Sequence, residues 1–175
     1  MRPYFDFAHL VTFADTNLVG NVYFANYLSW QGECRERFLA AHAPGVVARL
    51  ADDLALATVS CSCEYFSELY ALDVVSVRMS LRSIDFNRIA MDFGYYRVNA
   101  GPAQLVARGE QTVACMIRHG GELMPVAVPD ELRRALDRFG GREAAPSLPA
   151  TVSQDVSPNN YWDQSRVAAG HATAT

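Results

Sequence analysis

A single long helical candidate stands between one strand-like segment and a run of four more, and that order leaves few ways to build a core. The helix runs from about Phe24 to Ala41 and stops before Pro44-Gly45, a pair that cannot continue it. Ahead of it, Tyr4 to Phe13 is strand-like and almost continuously apolar, which predicts burial on both faces. Asp15 to Gly20 reads as a loop, rich in turn-forming Asp, Thr, Asn and Gly. Strand candidates follow at Leu54–Phe66 and Leu72–Leu81. In the second, Val75, Val77, Met79 and Leu81 share one face while Ser76, Arg78, Ser80 and Arg82 share the other. Ile89, Met91, Phe93 and Tyr95 repeat the alternation before Gly101-Pro102 turns the chain. Leu105 to Arg118 is the last long strand, closed by Gly120-Gly121. Pro129 then opens a short amphipathic helix carrying Leu132, Ala135, Leu136 and Phe139 at helical spacing. The predicted class is α+β, one domain in which a curved antiparallel sheet wraps a long helix. Such a sheet keeps an edge strand and an outer surface that need cover, and pairing with a second copy is the usual remedy.

Composition narrows the function. The chain of 175 residues has room for one good core, and residues 1–139 read as that domain. From 140 to 175 the apolar pattern stops and Ala, Ser, Thr, Pro and Asn take over, which predicts a disordered tail. Net charge is −4, so no basic field exists for nucleic acid or an anionic membrane surface. All 15 basic residues are Arg, which removes Schiff-base chemistry and the phosphate-binding P-loop. No apolar run approaches the roughly 18–20 residues that span a bilayer, and Met-Arg-Pro-Tyr-Phe-Asp does not read as a signal peptide. Cys34, Cys61, Cys63 and Cys115 are expected as reduced, mostly buried thiols of a cytoplasmic protein. Neither a cofactor nor a metal is implied, because His9, His42, His119 and His171 form no ligand pair with a cysteine.

The helix carries an anomaly. With Phe24 at zero and about 100° per residue, Leu28 falls at about 40°, Gln31 at about −20°, Arg35 at about 20° and Phe38 at about −40°. Tyr27 and Cys34 flank that stripe. Arg35 is therefore expected within an apolar face, where an always-charged guanidinium is costly unless an anion or several acceptors meet it. Two readings remain: a structural ion pair, or a cation facing a ligand cavity that binds a carbonyl or carboxylate. Upstream, Asn17 and Gly20 lie in the loop feeding the helix. That loop is either an ordinary cap or, with the free N–H groups of the helix start, a site for a developing oxyanion.

The string Phe13-Ala-Asp-Thr-Asn-Leu-Val-Gly-Asn-Val-Tyr-Phe-Ala-Asn-Tyr-Leu28, with Trp30 and Arg35, resembles the opening motif of hotdog-fold acyl thioesterases of the 4-hydroxybenzoyl-CoA type. Glu64-Tyr65, Asp73, Ala107-Arg-Gly-Glu-Gln-Thr112 and Met124-Pro-Val-Ala-Val-Pro129 fit the same family, over roughly residues 4–139. The family pattern places a catalytic aspartate where this chain has Asn17, and an amide is neither nucleophile nor base at neutral pH. Loss of that carboxylate, with Arg35 present, is similar to the thioesterases of enediyne polyketide biosynthesis. The resemblance implies a polyene β-ketoacyl substrate carried on the acyl carrier domain of an iterative polyketide synthase, and a homotetramer built as a dimer of dimers. Under it, Phe24 N–H is an oxyanion donor, Asn17 orients or polarises, and Arg35 binds the β-keto oxygen. Tyr27 either donates its hydroxyl or simply packs. Two alternatives stay open: a general acyl-CoA thioesterase with Asp15 or Glu64 as base, and a catalytically silent acyl-binding module.

Overall fold

The computed structural model describes residues 3–140. The predicted tail lies outside them, apart from Gly140 at its start. Six strands and three helices follow in the order β1 (Phe5–Leu10), α1 (Ala25–His42), α2 (Pro44–Leu50), β2 (Leu54–Tyr65), β3 (Val74–Asp85), β4 (Arg88–Arg97), β5 (Gln104–His119), β6 (Glu122–Pro125) and α3 (Asp130–Asp137). A single 3-10 turn, Phe13–Asp15, precedes α1.

The strands form one antiparallel sheet in the order β1-β3-β4-β5-β2, with β6 also paired to β5. Its curl brings one face around α1, giving the predicted hotdog arrangement. Val75, Val77 and Met79 of β3 and Ile89, Met91, Phe93 and Tyr95 of β4 are all buried, as their alternation demands. Several hydrogen bonds fasten α1 to that face. Cys34 Sγ lies 3.7 Å from the Val77 carbonyl, the Tyr95 hydroxyl donates to the Tyr27 carbonyl at 2.7 Å, and Gln31 Nε2 donates to the Ser62 carbonyl at 2.9 Å. The far end of α1 is closed by aromatic packing. Phe38 meets Phe5 and Phe139 edge-on, each at 5.6 Å between ring centroids. Leu132, Ala135 and Leu136 bury the apolar stripe of α3.

Four details depart from the reading of the sequence. β1 is an edge strand paired only with β3, and Phe7 is buried while Asp6, Ala8 and Leu10 are exposed; burial on both faces would require a packed layer on each side of the sheet. α1 stops before Pro44 as expected, but after Ala43 the proline opens a further helix, α2, at its first position, where a missing N–H costs nothing. Gly120 and Gly121 both have positive φ and turn β5 directly into β6 as a two-residue hairpin. Finally, Cys34 and Cys115 are buried and Cys63 half-buried, but Cys61 is exposed; all four are free thiols.

β2 is the other edge of the sheet, and its twelve residues are open along much of their length. A bulge between Thr58 and Ser60 shifts its alternation, so Leu54, Leu56 and Thr58 are followed on the same face by Cys61, Cys63 and Tyr65. The residues from Ala57 to Ser62 are exposed on both faces.

Candidate active site

Two hollows open beside α1, one at its start and one near its middle. The first, about 310 Å³, is lined by Phe24, Tyr27, Tyr65, Phe66, Glu68 and neighbouring residues. The loop that builds it is stitched to itself. The Asp15 carbonyl accepts the Tyr23 N–H at 2.9 Å and Asn26 Nδ2 at 2.7 Å, which fixes where the chain enters α1. Phe24 already has helical φ and ψ, and α1 has no side-chain cap. Its N–H meets no acceptor among the described residues, as is general for donors in a helix's first turn. Tyr65 Oη donates to the Phe24 carbonyl at 3.0 Å, tying β2 to the helix start.

Tyr27 is buried, ringed by Trp30, Tyr65 and Tyr95 at 5.0–5.3 Å between centroids, and lines this hollow. Burial, with negative neighbours second, raises its hydroxyl above the ordinary tyrosine value, so it stays protonated and keeps a hydrogen to donate. Burial likewise pushes the nearby Cys63 thiol up to about 11, which leaves it no thiolate for attack at neutral pH. Asn17 does not line the hollow. It is exposed, its Oδ1 accepts the Val19 N–H at 2.8 Å, and its backbone closes the turn through Asn21 and Gly20. That is an Asx turn, leaving Nδ2 as the free end of the amide.

The carboxylates read as possible bases are placed differently. Asp15 is committed: Oδ2 accepts the Thr12 N–H at 2.7 Å, the Thr12 hydroxyl at 2.8 Å and lies 3.2 Å from His9 Nε2. Burial acts to raise its pKa, but the bonds from Thr12 and the adjacent His9 outweigh it and hold the carboxyl below its ordinary value. A lowered pKa stabilises the fold above the unfolded-state value and loses that contribution as pH falls through the folded one. Asp15→Asn is therefore expected to cost about 1 kcal/mol at pH 7, the usual worth of such a cap. The gap between the two melting curves should close on acidification below the ordinary aspartate pKa of 3.8. A gap independent of pH would remove Asp15 from the capping role. Glu64 sits on β2 between Cys63 and Tyr65, hence on the opposite face from both. The carboxylate that does line the first hollow is Glu68, held by Asn21 Nδ2 at 2.8 Å and by the Tyr70 hydroxyl. It lies in the connection after β2, where no periodicity tells which way a side chain points.

The second hollow, about 280 Å³, lies between α1, α2 and β2, and Arg35 lines it together with Leu39, Leu50, Leu54, Ala57 and Arg118. The buried stripe of α1 is Tyr27, Trp30, Gln31, Cys34, Phe38 and Leu39. It is centred on Gln31 and Cys34, with Arg35 at its rim, half-buried, rather than at its middle. Phe24 and Leu28 pulled the predicted axis toward Arg35, but Phe24 is 57% exposed. Arg35 Nη1 donates to Gln111 Oε1 at 3.0 Å and Thr58 Oγ1 at 3.2 Å. Arg37, Arg49, Arg82 and Arg97 each meet a carboxylate, whereas Arg35 has no ion pair among the described residues. Burial lowers its pKa, with adjacent Glu36 opposing, yet a guanidinium keeps its charge throughout the working range. The structural ion pair is thus absent among the described residues, and the cation borders a largely apolar cavity whose lining also includes Glu36 and Arg118.

The structure therefore brings Phe24 and Tyr27 to one hollow and Arg35 to another. Eleven residues separate Phe24 from Arg35, a rise of about 16 Å along one helix.

A model of the thioesterase-like superfamily matches residues 11–136. The chain belongs to this superfamily. As a member it is an enzyme that hydrolyses thioesters. The crystal structure of the dynemicin thioesterase is 58% identical and superposes with a TM-score of 0.78, covering 81% of this chain and all of that one. A 1,4-dihydroxy-2-naphthoyl-CoA thioesterase from Synechocystis is 24% identical with a TM-score of 0.66, covering 77% of this chain and 96% of that one. A 4-hydroxybenzoyl-CoA thioesterase mutant with asparagine in place of an aspartate, complexed with 4-hydroxybenzoyl-CoA, is 18% identical with a TM-score of 0.68 over 76% of this chain and 98% of that one. The last two share the hotdog fold. No curated protein sequence matches the chain. No helix among the described residues is long and apolar enough to cross a membrane.

Proposed function

We propose that this thioesterase releases a β-ketoacyl polyene chain from the acyl carrier domain of an enediyne-type polyketide synthase, with decarboxylation of the β-keto acid following. The observation that carries the reading is Arg35: a half-buried, permanently charged group, held by neutral hydrogen-bond acceptors, on the wall of a largely apolar cavity. The similarity to the dynemicin thioesterase, whose structures describe polyene binding by that protein, supports a long unsaturated chain. Arg35 holds the β-keto oxygen, and after hydrolysis the β-keto carboxylate. Loss of CO2 from that acid leaves an enolate, and a cation beside its oxygen favours the step. At the thioester carbonyl, the Phe24 N–H stabilises the growing oxyanion and the free Asn17 amide end orients water. Tyr27 contributes its hydroxyl as a donor. Thioester hydrolysis proceeds this way without a carboxylate base, because positioning and charge stabilisation lower the barrier.

Since one helix keeps Phe24 and Arg35 about 16 Å apart, a single protomer does not close both around one carbonyl and its β-oxygen. A homo-oligomer resolves this. The open edge of β2 invites antiparallel pairing with a second copy, and α1 lies in register along β2, with Phe24 at Tyr65 and Arg35 at Thr58. A two-fold axis near the middle of β2 would then set one protomer's Arg35 toward its partner's helix start. A dimer of dimers is the expected assembly. Nucleic acid and membrane are not expected partners, on net charge, and a cytoplasmic location is expected.

The test is hydrolysis of the same 3-oxoacyl group carried on a phosphopantetheinylated carrier domain and on CoA, followed by free-thiol release. The reading expects strong preference for the carrier and appearance of free acid or its methyl ketone. Equal rates on both would point to a general acyl-CoA thioesterase, and bound acyl chain without free acid would point to a silent binding module. For Asn17→Ala, turnover should fall about tenfold, the worth of one neutral hydrogen bond, while affinity for substrate is kept. An unchanged rate would leave Asn17 as a turn residue alone.

A further inference from the structure

Arg35 is held by two neutral side chains. Gln111 is 5% exposed and sits in the inward register of β5, in line with Gly109, Val113 and Cys115. Across the sheet it lies opposite Met91 of β4 and Cys61 of β2. A primary amide in such a row must be paired, since a buried polar group without a partner is costly. Its Oε1 accepts from Arg35, and the Thr58 hydroxyl just before the β2 bulge takes the same nitrogen. Nε and Nη2 of Arg35 donate to no side chain among the described residues, which leaves donors on the guanidinium for a ligand. We propose that Gln111 is a positioning residue: a neutral acceptor that aims Arg35 at the acyl cavity while leaving its positive charge uncancelled. This inference rests on the reading of Arg35 as the acyl-binding cation. A glutamate of the same shape would hold the guanidinium more strongly, as carboxylates hold Arg37, Arg49 and Arg82. It would also compete with the substrate's oxygens for the same charge.

The test compares Gln111→Glu, Gln111→Leu, Arg35→Ala and wild type on two pantetheine thioesters of equal chain length, one 3-oxo and one plain. For Gln111→Glu, kcat on the 3-oxo substrate is expected to fall about thirtyfold through the lost transition-state stabilisation. The plain thioester should change far less, and the melting temperature should hold or rise. Gln111→Leu, which frees the guanidinium without neutralising it, should fall only about fivefold on the 3-oxo substrate. A residue with a merely structural role would move both substrates together. If Arg35→Ala abolishes the 3-oxo preference and Gln111→Glu keeps it, the positioning role of Gln111 is wrong and the reading of Arg35 stands. If wild type shows no 3-oxo preference, or Arg35→Ala retains it, the reading of Arg35 itself fails.

Discussion

Arg35→Ala is expected to lower kcat on a 3-oxoacyl thioester about a thousandfold, close to 4 kcal/mol of transition-state stabilisation. The protein should stay folded. Arg35 stands at the rim of the buried stripe of α1, and its two acceptors, Gln111 and Thr58, are neutral. Removing it leaves no uncompensated buried charge, but it takes away the donor to the buried Gln111 amide, so stability should fall by about 1–3 kcal/mol. Arg35→Lys separates charge from geometry. An ammonium keeps the charge but reaches the cavity as a single point, without the planar fork that bonds Gln111 and a substrate oxygen together. It should recover part of the loss only. Unaltered turnover in Arg35→Ala, with the oligomer intact, would make this arginine a surface solute of its cavity and nothing more.

Gly109→Ala should be the most damaging small substitution in the fold. A Cβ at this position would stand 2.1 Å from Gln31 Nε2 and 3.0 Å from the Ser62 carbonyl oxygen. Gln31 is fully buried at the centre of α1's inner face, and its Nε2 donates to that same carbonyl. Its Oε1 is already without a partner among the described residues, so the amide has no second arrangement ready to accept it. The alanine must displace the amide, break the bond to Ser62 and leave a buried donor unsatisfied, or push α1 away from β2 and β5. The two costs together amount to about 2–4 kcal/mol. For a domain of this size that shifts the melting temperature by about 10 °C. Gln31→Ala in the same chain should relieve most of the clash, giving a coupling energy of about 1–2 kcal/mol in a double-mutant cycle. Additive effects in that cycle would show that the methyl group is accommodated elsewhere.

What the sequence made legible follows from where periodicity is strict. The inward rows of β3 and β4 could be read residue by residue because a one-residue slip would turn every apolar side chain to solvent. α1 could be located and bounded to within a residue, but its buried face is centred about 70° away from Arg35, which the sequence alone sets almost on the axis. Phe24 is apolar for a reason other than the core, as it lines an open hollow. Edge strands were the weaker point: β1 looks fully buried in composition, and the bulge in β2 changes which residues face inward without any glycine or proline to announce it. Arg35 stood out because charge among apolar neighbours is conspicuous. Its partner Gln111 was equally visible as the polar member of an alternating apolar row, but a row shows only that an amide is buried. Which cation meets it depends on a contact 76 positions away in sequence. Glu68 was out of reach, since the connection after β2 has no pattern to orient it.

An unpaired cation that recognises a β-oxygen of the acyl group should be seen directly in binding. Calorimetric titration of wild type and Arg35→Ala with a long-chain 3-oxoacyl pantetheine amide, which offers no thioester to hydrolyse and no carboxylate to lose, and with the plain acyl amide of equal length measures this without any turnover. Tighter binding of the 3-oxo amide by wild type, with the difference erased in Arg35→Ala, is the predicted result. Equal affinity for the two amides in wild type, or a preference that survives loss of the guanidinium, would contradict it.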